Sequence, residues 1–391
     1  MRAIPEKFIK ARKYALAALI AVSAAAVPAA VSPRSGLSEL WDMSARLSVR
    51  ILYGYSGQDI PRGEETETPS TEVSSQKVYT YTEYSVDDSM FLSSDCLLVP
   101  SSENEDIISE DPETAAAYFA DEDYTPGGKI VPTLYGYYSG DDYLDLENGG
   151  QVRNFTHIDM EELEELSHKP YAFSIEADGE PEVLIMHTHT TECYEPYERE
   201  YYNVNRSCRV LDSRENMTAV GDMITQELYK NGIGVIHDTT VHDYPDYNGS
   251  YDRSRETVSN ILELYPSIKV VLDIHRDAIE RDGDRIAPVT EINGKPAAQV
   301  MIICGCDDGT MDMPDYKKNF SFACALQSRL ESDNPTLTRP VLFDYRHYNQ
   351  DLTTGSLLIE VGSHGNTLEQ AKYSGELIGK SLAELLLENR E

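Results

Sequence analysis

Three segments of this chain carry the side chains that hydrolytic metal chemistry uses. Residues 183–194 read Val-Leu-Ile-Met-His-Thr-His-Thr-Thr-Glu-Cys-Tyr, an apolar run at 269–274 ends in His275-Arg276-Asp277, and residues 357–362 read Leu-Leu-Ile-Glu-Val-Gly. Two imidazoles and one carboxylate are the ligand set of many catalytic zinc sites, where water takes the fourth position. A second, unligated carboxylate then removes a proton from that water and returns it to a leaving amine. His189, with His187 two residues before it, and His275 are the candidate imidazoles. Glu360 is a carboxylate inside an apolar strand, where it needs a partner. Glu215, just ahead of a helix, is the candidate middle ligand, although a carboxylate there also suits the positive end of the helix dipole. Taken singly, the histidines read as turn or strand-edge residues. Their joint occurrence at strand ends is what points to a metal site.

The elements that must position these residues follow from periodicity. Short apolar runs that break into His, Thr and Glu look like buried strands delivering polar groups to the carboxyl edge of a sheet, where α/β proteins keep their chemistry. Because side chains alternate along a strand, His187 and His189 face the same way if the chain stays extended. A helix is predicted over 216–230, with Met217, Val220, Ile224 and Leu228 on one stripe and a stop at Asn231-Gly232. Next come a strand over 233–236, a Tyr- and Asp-rich loop over 237–251, a helix over 252–265 and a strand over 269–274. An Asn293-Gly294 turn joins two strands, the second over 299–304. Helices over 316–330 and 368–387 flank the last strand, 357–362. This alternation predicts an α/β fold, three αβα layers around a mostly parallel sheet. The loop over 237–251 is a candidate wall of a substrate groove, and Arg346, Asn349 and Gln350, upstream of the last strand, are candidates for holding peptide carboxylates or carbonyls.

Ahead of this domain, taken as 179–391, the chain divides into three parts. Residues 1–35 join Arg2, Lys7, Lys10, Arg12 and Lys13 to an uncharged Ala-, Val-, Leu- and Ile-rich run, which reads as a signal anchor in the cell membrane with the N-terminus cytoplasmic and the remainder outside. Small residues over 24–30 also permit reading a cleavage site. Residues 36–126 are an acidic spacer with too few apolar groups to offset the entropy of ordering, expected to be largely disordered. Residues 127–178 alternate as short strands, 130–138 and 152–156, before an acidic helix over 160–166, and form a small β-rich lead-in. A net charge of −35 repels nucleic acid and excludes it as a partner class. The six cysteines show no Cys-x-x-Cys spacing; Cys193 with Cys208 is the pair to test for a bridge.

The motif at 183–194, the loop Gly-Ile-Gly-Val-Ile-His-Asp-Thr-Thr-Val-His-Asp-Tyr-Pro-Asp-Tyr-Asn-Gly-Ser-Tyr, Leu-Asp-Ile-His-Arg-Asp, Tyr348-Asn349-Gln350 and Gly-Ser-Leu-Leu-Ile-Glu-Val-Gly together resemble the stage II sporulation protein P family. The resemblance runs from about Val152 to the C-terminus, and the anchor and acidic spacer match its layout. It implies a peptidoglycan hydrolase, an N-acetylmuramoyl-L-alanine amidase with endopeptidase action in some cases, that acts in septal wall degradation during engulfment alongside stage II sporulation proteins D and M. It also implies the fold of the zinc-dependent amidases, with His189 and His275 at the two His positions and Glu360 at the catalytic Glu. Glu215 matches the middle ligand by its place before the first helix. The Gly-rich turn of the wider amidase group is replaced here by His-Thr-His-Thr-Thr-Glu, so that His187 or Glu192 share or replace a role.

Overall fold

The computed structural model describes residues 124–390; the predicted anchor and nearly all of the acidic spacer lie outside the described residues. The first strand, β1 (Pro126–Thr133), begins ahead of the predicted 130–138 run and stops at Thr133, so that residues 134–138 of that run are irregular. Two short strands, β2 (Tyr143–Asp145) and β3 (Gln151–Asn154), precede helix α1 (Met160–Ser167). Strand β4 (Pro181–Met186) is buried from Glu182 onward. After β5 (Tyr201–Asn203) comes helix α2 (Met217–Lys230), capped by the Asn216 side chain, which accepts from the Thr218 amide. Its predicted stripe of Met217, Val220, Ile224 and Leu228 is wholly buried, each such side chain contributing about 1.5–3 kcal/mol. Strand β6 (Gly234–His237), helix α3 (Ser250–Leu264) and strand β7 (Val270–Asp277) follow, then β8 (Glu280–Arg281) and β9 (Asp284–Ile292).

Beyond the Asn293-Gly294 turn, where one strand over 299–304 is predicted, there are two, β10 (Lys295–Ala298) and β11 (Val300–Gly305). Gln299 separates them. Its side chain is buried, bonding the Tyr135 amide and carbonyl and the Thr336 carbonyl. β10 therefore pairs back on β9, while β11 enters the other sheet. Helix α4 (Tyr316–Asp333), strand β12 (Val341–Asp344), strand β13 (Gly355–Ser363) and helix α5 (Leu368–Glu388) complete the chain; a Thr367/Gln370 capping box starts α5.

The larger sheet runs β2-β3-β12-β11-β13-β7-β4-β6. It is mixed but mostly parallel: β2 against β3 and β11 against β13 are antiparallel, and the other neighbours are parallel. The smaller sheet runs β10-β9-β1-β5, with β8 on β9. The strands of the lead-in are thus hydrogen-bonded into both sheets, because β1 pairs with β9 and β3 with β12. One face of the larger sheet, with Val183, Ile185, Leu272, Ile274, Ile302 and Ile359, packs into the main core with α1, α2, α4 and α5. The opposite face divides into two smaller clusters. Leu184, Met186 and Val271 lie under α3, and Met301, Ile303, Leu342 and Leu358 are joined, among the described residues, by Phe155 and Tyr348. The fold is three-layered with unequal outer layers, and the thinly covered face is where polar side chains gather.

Candidate active site

Alternation along β7 sends Val270, Leu272 and Ile274 into the main core and Val271, Asp273 and His275 to the thinly covered face. Glu360 on β13 is the register partner of His275 on β7, so the two lie side by side across parallel strands. Just past Glu360 the register shifts, and Gly362 sits there at φ +64, a conformation that favours glycine and where a Cβ would fall 2.6 Å from Asn366 Oδ1 and 2.8 Å from the Ala298 Cβ. Glu360 is 4% exposed, and its Oε2 has no hydrogen-bond partner among the described residues. Burial, reinforced by Asp277 and Glu192 and opposed by His275 and Arg339, pushes its carboxyl well above the usual range. For His275, burial disfavours the charged ring but Asp273, then Glu192 and Glu360, outweigh it and push the imidazole up to about 10. His275 Nε2 lies 2.8 Å from Asp273 Oδ1, close but not aligned as a hydrogen bond, and Nδ1 lies 3.9 Å from Glu192 Oε2.

The chain does not stay extended after β4. The Thr190 hydroxyl donates to the His187 carbonyl and the Glu192 amide to the His189 carbonyl, closing a turn that parts the two histidines. His187 continues the alternation of Val183 and Ile185 toward α2. Its Nδ1 meets the Ile274 carbonyl at 2.9 Å and its Nε2 meets His237 Nε2 at 2.9 Å, while His237 Nδ1 bonds Asp222. Gly221 makes room for this pair, because a Cβ there would come 2.5 Å from His237 and 2.7 Å from His187. Burial first, then His237, lowers the His187 imidazole to about 3. His189 instead turns to the site, 4% exposed, with its ring 5.1 Å from that of His275. Tyr247 stacks on it at 4.5 Å and approaches Nε2 with its hydroxyl at 3.0 Å; Tyr251 meets it edge-on at 5.5 Å. Tyr247 and Tyr251 thus bring the C-terminal part of the predicted wall loop, 237–251, against His189.

The two candidate carboxylates separate sharply. Glu192, 2% exposed, accepts from the Arg276 amide at 3.2 Å and from Arg209 at 3.4 Å and faces His275. Glu215 has a side chain 28% exposed, held by Arg206 at 3.1 Å. Gln350 is buried and braces β11, accepting from the Gly305 amide and donating to the Ile303 carbonyl. Asn349 donates to the Tyr251 carbonyl and the Ser254 hydroxyl. Those bonds hold Tyr348 and Asn349 in consecutive left-handed conformations, φ 43 and 55, at a cost of about 1–3 kcal/mol each, and seat Tyr348 on Tyr251 at a ring distance of 5.2 Å. Arg346 bonds Asp344 and the Tyr348 hydroxyl. Of these three, Gln350 braces the sheet, Asn349 shapes the rim and Arg346 sits outside it. Sequence reasoning missed Asp273, whose signal was its place two residues before His275 on one face of the strand, and Arg209, for which the sequence carried none.

In kind, the donors suit a zinc ion: two imidazoles and one carboxylate, all buried, beside a partnerless oxygen of Glu360. Among the described residues no three His, Cys, Asp or Glu groups are converged as a ready-made sphere; the His189 Nε2 lies 3.0 Å from the Tyr247 hydroxyl and the His275 Nε2 2.8 Å from Asp273.

The class defined by this architecture is an α/β protein of three layers with a mixed, mostly parallel sheet, carrying its buried polar cluster at strand carboxyl ends. Solved structures similar to it include N-acetylmuramoyl-L-alanine amidases of Nostoc punctiforme (10% identity, covering 53% of this chain and 96% of that one, TM-score 0.31) and Mycobacterium abscessus (11%, 53% and 99%, TM-score 0.32). Another is that of Clostridium difficile 630 (16% identity, 54% and 95%, TM-score 0.30). The chain belongs to the stage II sporulation protein P family, whose profile matches residues 141–383. It is 31% identical over 214 residues to stage II sporulation protein P of Bacillus subtilis; the match takes in 52% of this chain and spans 50% of the length of that relative.

Proposed function

We propose that this chain is a zinc-dependent peptidoglycan hydrolase that cleaves the amide between N-acetylmuramic acid and the L-alanine of the stem peptide during sporulation. The observation that carries the reading is the gathering of His189, His275 and Glu192 at one sheet edge beside the partnerless Glu360 oxygen. Family membership supports the sporulation setting. In this reading His189 and His275 hold the ion, and the geometry favours Glu192 over Glu215 as the third ligand, since Arg206 already engages Glu215. Zinc, when bound, supplies Lewis acidity toward the scissile carbonyl and toward water. Glu360 accepts the water proton and passes it to the departing amine of L-alanine, a role for which a carboxylate with an uncommitted oxygen is suited. Asp273 orients the His275 ring, as carboxylates behind metal-binding histidines do. Tyr247, Tyr251 and Tyr348 form an aromatic rim outside the two imidazoles.

The test combines zinc content per chain with product masses from purified peptidoglycan. Glu192→Gln should lose zinc and Glu215→Gln should keep it; the opposite result returns the ligand role to Glu215. Peptides released with a free L-alanine amine support the amidase, whereas cuts within the stem peptide make the enzyme an endopeptidase. Unchanged peptidoglycan overturns the hydrolase reading. The reading also sets the domain outside the membrane, behind an N-terminal anchor: protease added to intact protoplasts should remove everything after Ser32, and full protection would count against it. It further pairs the chain with stage II sporulation proteins D and M; their absence after affinity capture from sporulating membranes would remove that pairing.

A further inference from the structure

Arg209 lies on a short segment that runs antiparallel to the residues after the β4 turn. The Cys193 amide donates to the Cys208 carbonyl at 3.1 Å, the Val210 amide to the Thr191 carbonyl at 2.7 Å, and Glu192 and Arg209 form the bridge pair between. The residue is 8% exposed, so its guanidinium meets protein on nearly every side. Nη1 donates to Asp243 Oδ2 at 2.6 Å and to the Thr191 hydroxyl at 3.4 Å, while Nη2 donates to Glu192 Oε1 at 3.4 Å. The guanidinium carbon also sits 4.7 Å from the centre of the Tyr247 ring, the ring stacked on His189.

One cation therefore touches the carboxylate of the site directly and reaches its imidazole through a single aromatic ring. Glu192 is gripped from two sides, Oε1 by Arg209 and Oε2 by the Arg276 amide, and Oε2 is the oxygen that faces His275. A planar fork can span Asp243 and Glu192 together; a lysine ammonium, a single point charge, cannot do so with the same geometry. Without the fork, Asp243 and Glu192 lose the guanidinium they share and keep neutral donors, the Thr191 amide and hydroxyl for one and the Arg276 amide for the other.

We propose that Arg209 is the positioning residue of the metal centre, aiming Glu192 at the ion and compensating its charge. The inference rests on the reading in which His189, His275 and Glu192 bind zinc. The competing role is structural, neutralisation of Asp243 alone, and the two are separable. Zinc affinity is measured on the detergent-solubilised full chain by competition with a chromogenic chelator, beside the melting temperature of the metal-free protein. Arg209→Lys and Arg209→Met should each weaken zinc binding by about 10- to 100-fold, the usual effect of removing a residue that orients a ligand. Arg209→Met combined with Asp243→Asn removes the cation and its main counter-charge together, so it should recover melting temperature without recovering zinc affinity. Recovery of affinity in the double variant, or unchanged affinity in both single variants while the unaltered chain binds zinc, overturns the positioning role and leaves the metal reading standing. Absence of zinc binding by the unaltered chain overturns both.

Discussion

Glu360→Gln should make the metal-free domain more stable and, on the proposed hydrolase reading, remove nearly all peptidoglycan cleavage. The carboxyl is buried, one of its oxygens has no partner among the described residues, and Asp277 and Glu192 add negative potential to the burial that already disfavours its charge. Burying a charge without full compensation costs on the order of 1–3 kcal/mol or more, and an isosteric amide removes the charge that burial, Asp277 and Glu192 disfavour while keeping the volume. At about 2–4 °C per kcal/mol for a domain of this size, recovering even part of that cost raises the melting temperature by a few degrees. The sign of the pH effect follows. A carboxyl raised well above 4.5 in the folded state binds more protons folded than unfolded, so native stability falls as pH rises above 4.5, and the gain from glutamine is larger at pH 8 than at pH 5. Thermal unfolding with chelator present at both pH values measures this. Glutamine cannot accept a proton, so release of stem peptides should drop by about 10² to 10⁴ while zinc per chain is retained. A variant that melts lower at both pH values and still releases peptides would refute the reasoning, because Glu360 would then be a satisfied structural carboxylate.

Two further outcomes are expected. His364, with Nε2 at 3.1 Å from Glu280 Oε1 and Nδ1 without a partner among the described residues, is lowered to about 4 by burial and by Arg285 and Arg276, against the bond to Glu280. The folded state then binds fewer protons than the unfolded one between pH 6.5 and about 4, so this residue contributes a loss of roughly 3 kcal/mol as pH falls through that window. His364→Gln should flatten the acid side of a urea-unfolding series, and an unchanged slope would count against it. Alkylation of the native protein should leave the buried thiols Cys193, Cys304, Cys306 and Cys324 unmodified, with Cys208 labelled only after reduction, as peptide mass spectrometry would show. Labelling of Cys208 without reductant would contradict its disulfide.

Sequence pattern alone determined the strands that end at the site and the helices around them. β4, β7 and β13 are buried along nearly their whole lengths, so their apolar runs stood out, and the stripe on α2 was visible because it packs into the main core. His189, His275 and Glu360 stood out in the sequence only jointly, as polar residues in or just after such runs, since each taken singly reads as a turn, strand-edge or partnered residue. The family motifs were legible for their length and order.

Tertiary structure decided what each polar residue faces. His187 and His189 share a strand parity, yet the hydrogen bonds of residues 187–192 turn one toward α2 and the other toward His275. Gln299, read in the sequence as the first residue of a strand over 299–304, is instead anchored to residues more than thirty positions away and separates two strands that belong to different sheets. Cys193 and Cys208 are backbone neighbours, but the Cys193 thiol remains free with its sulfur on the Ser207 carbonyl, and the bridge between them is not made. The separation of Glu192 from Glu215 depends on Arg209 and Arg206, which sit at no telling spacing from either carboxylate. Periodicity is a local property of the chain and survives in the sequence, whereas the direction a side chain takes once it leaves a strand is set by partners that only folding brings near.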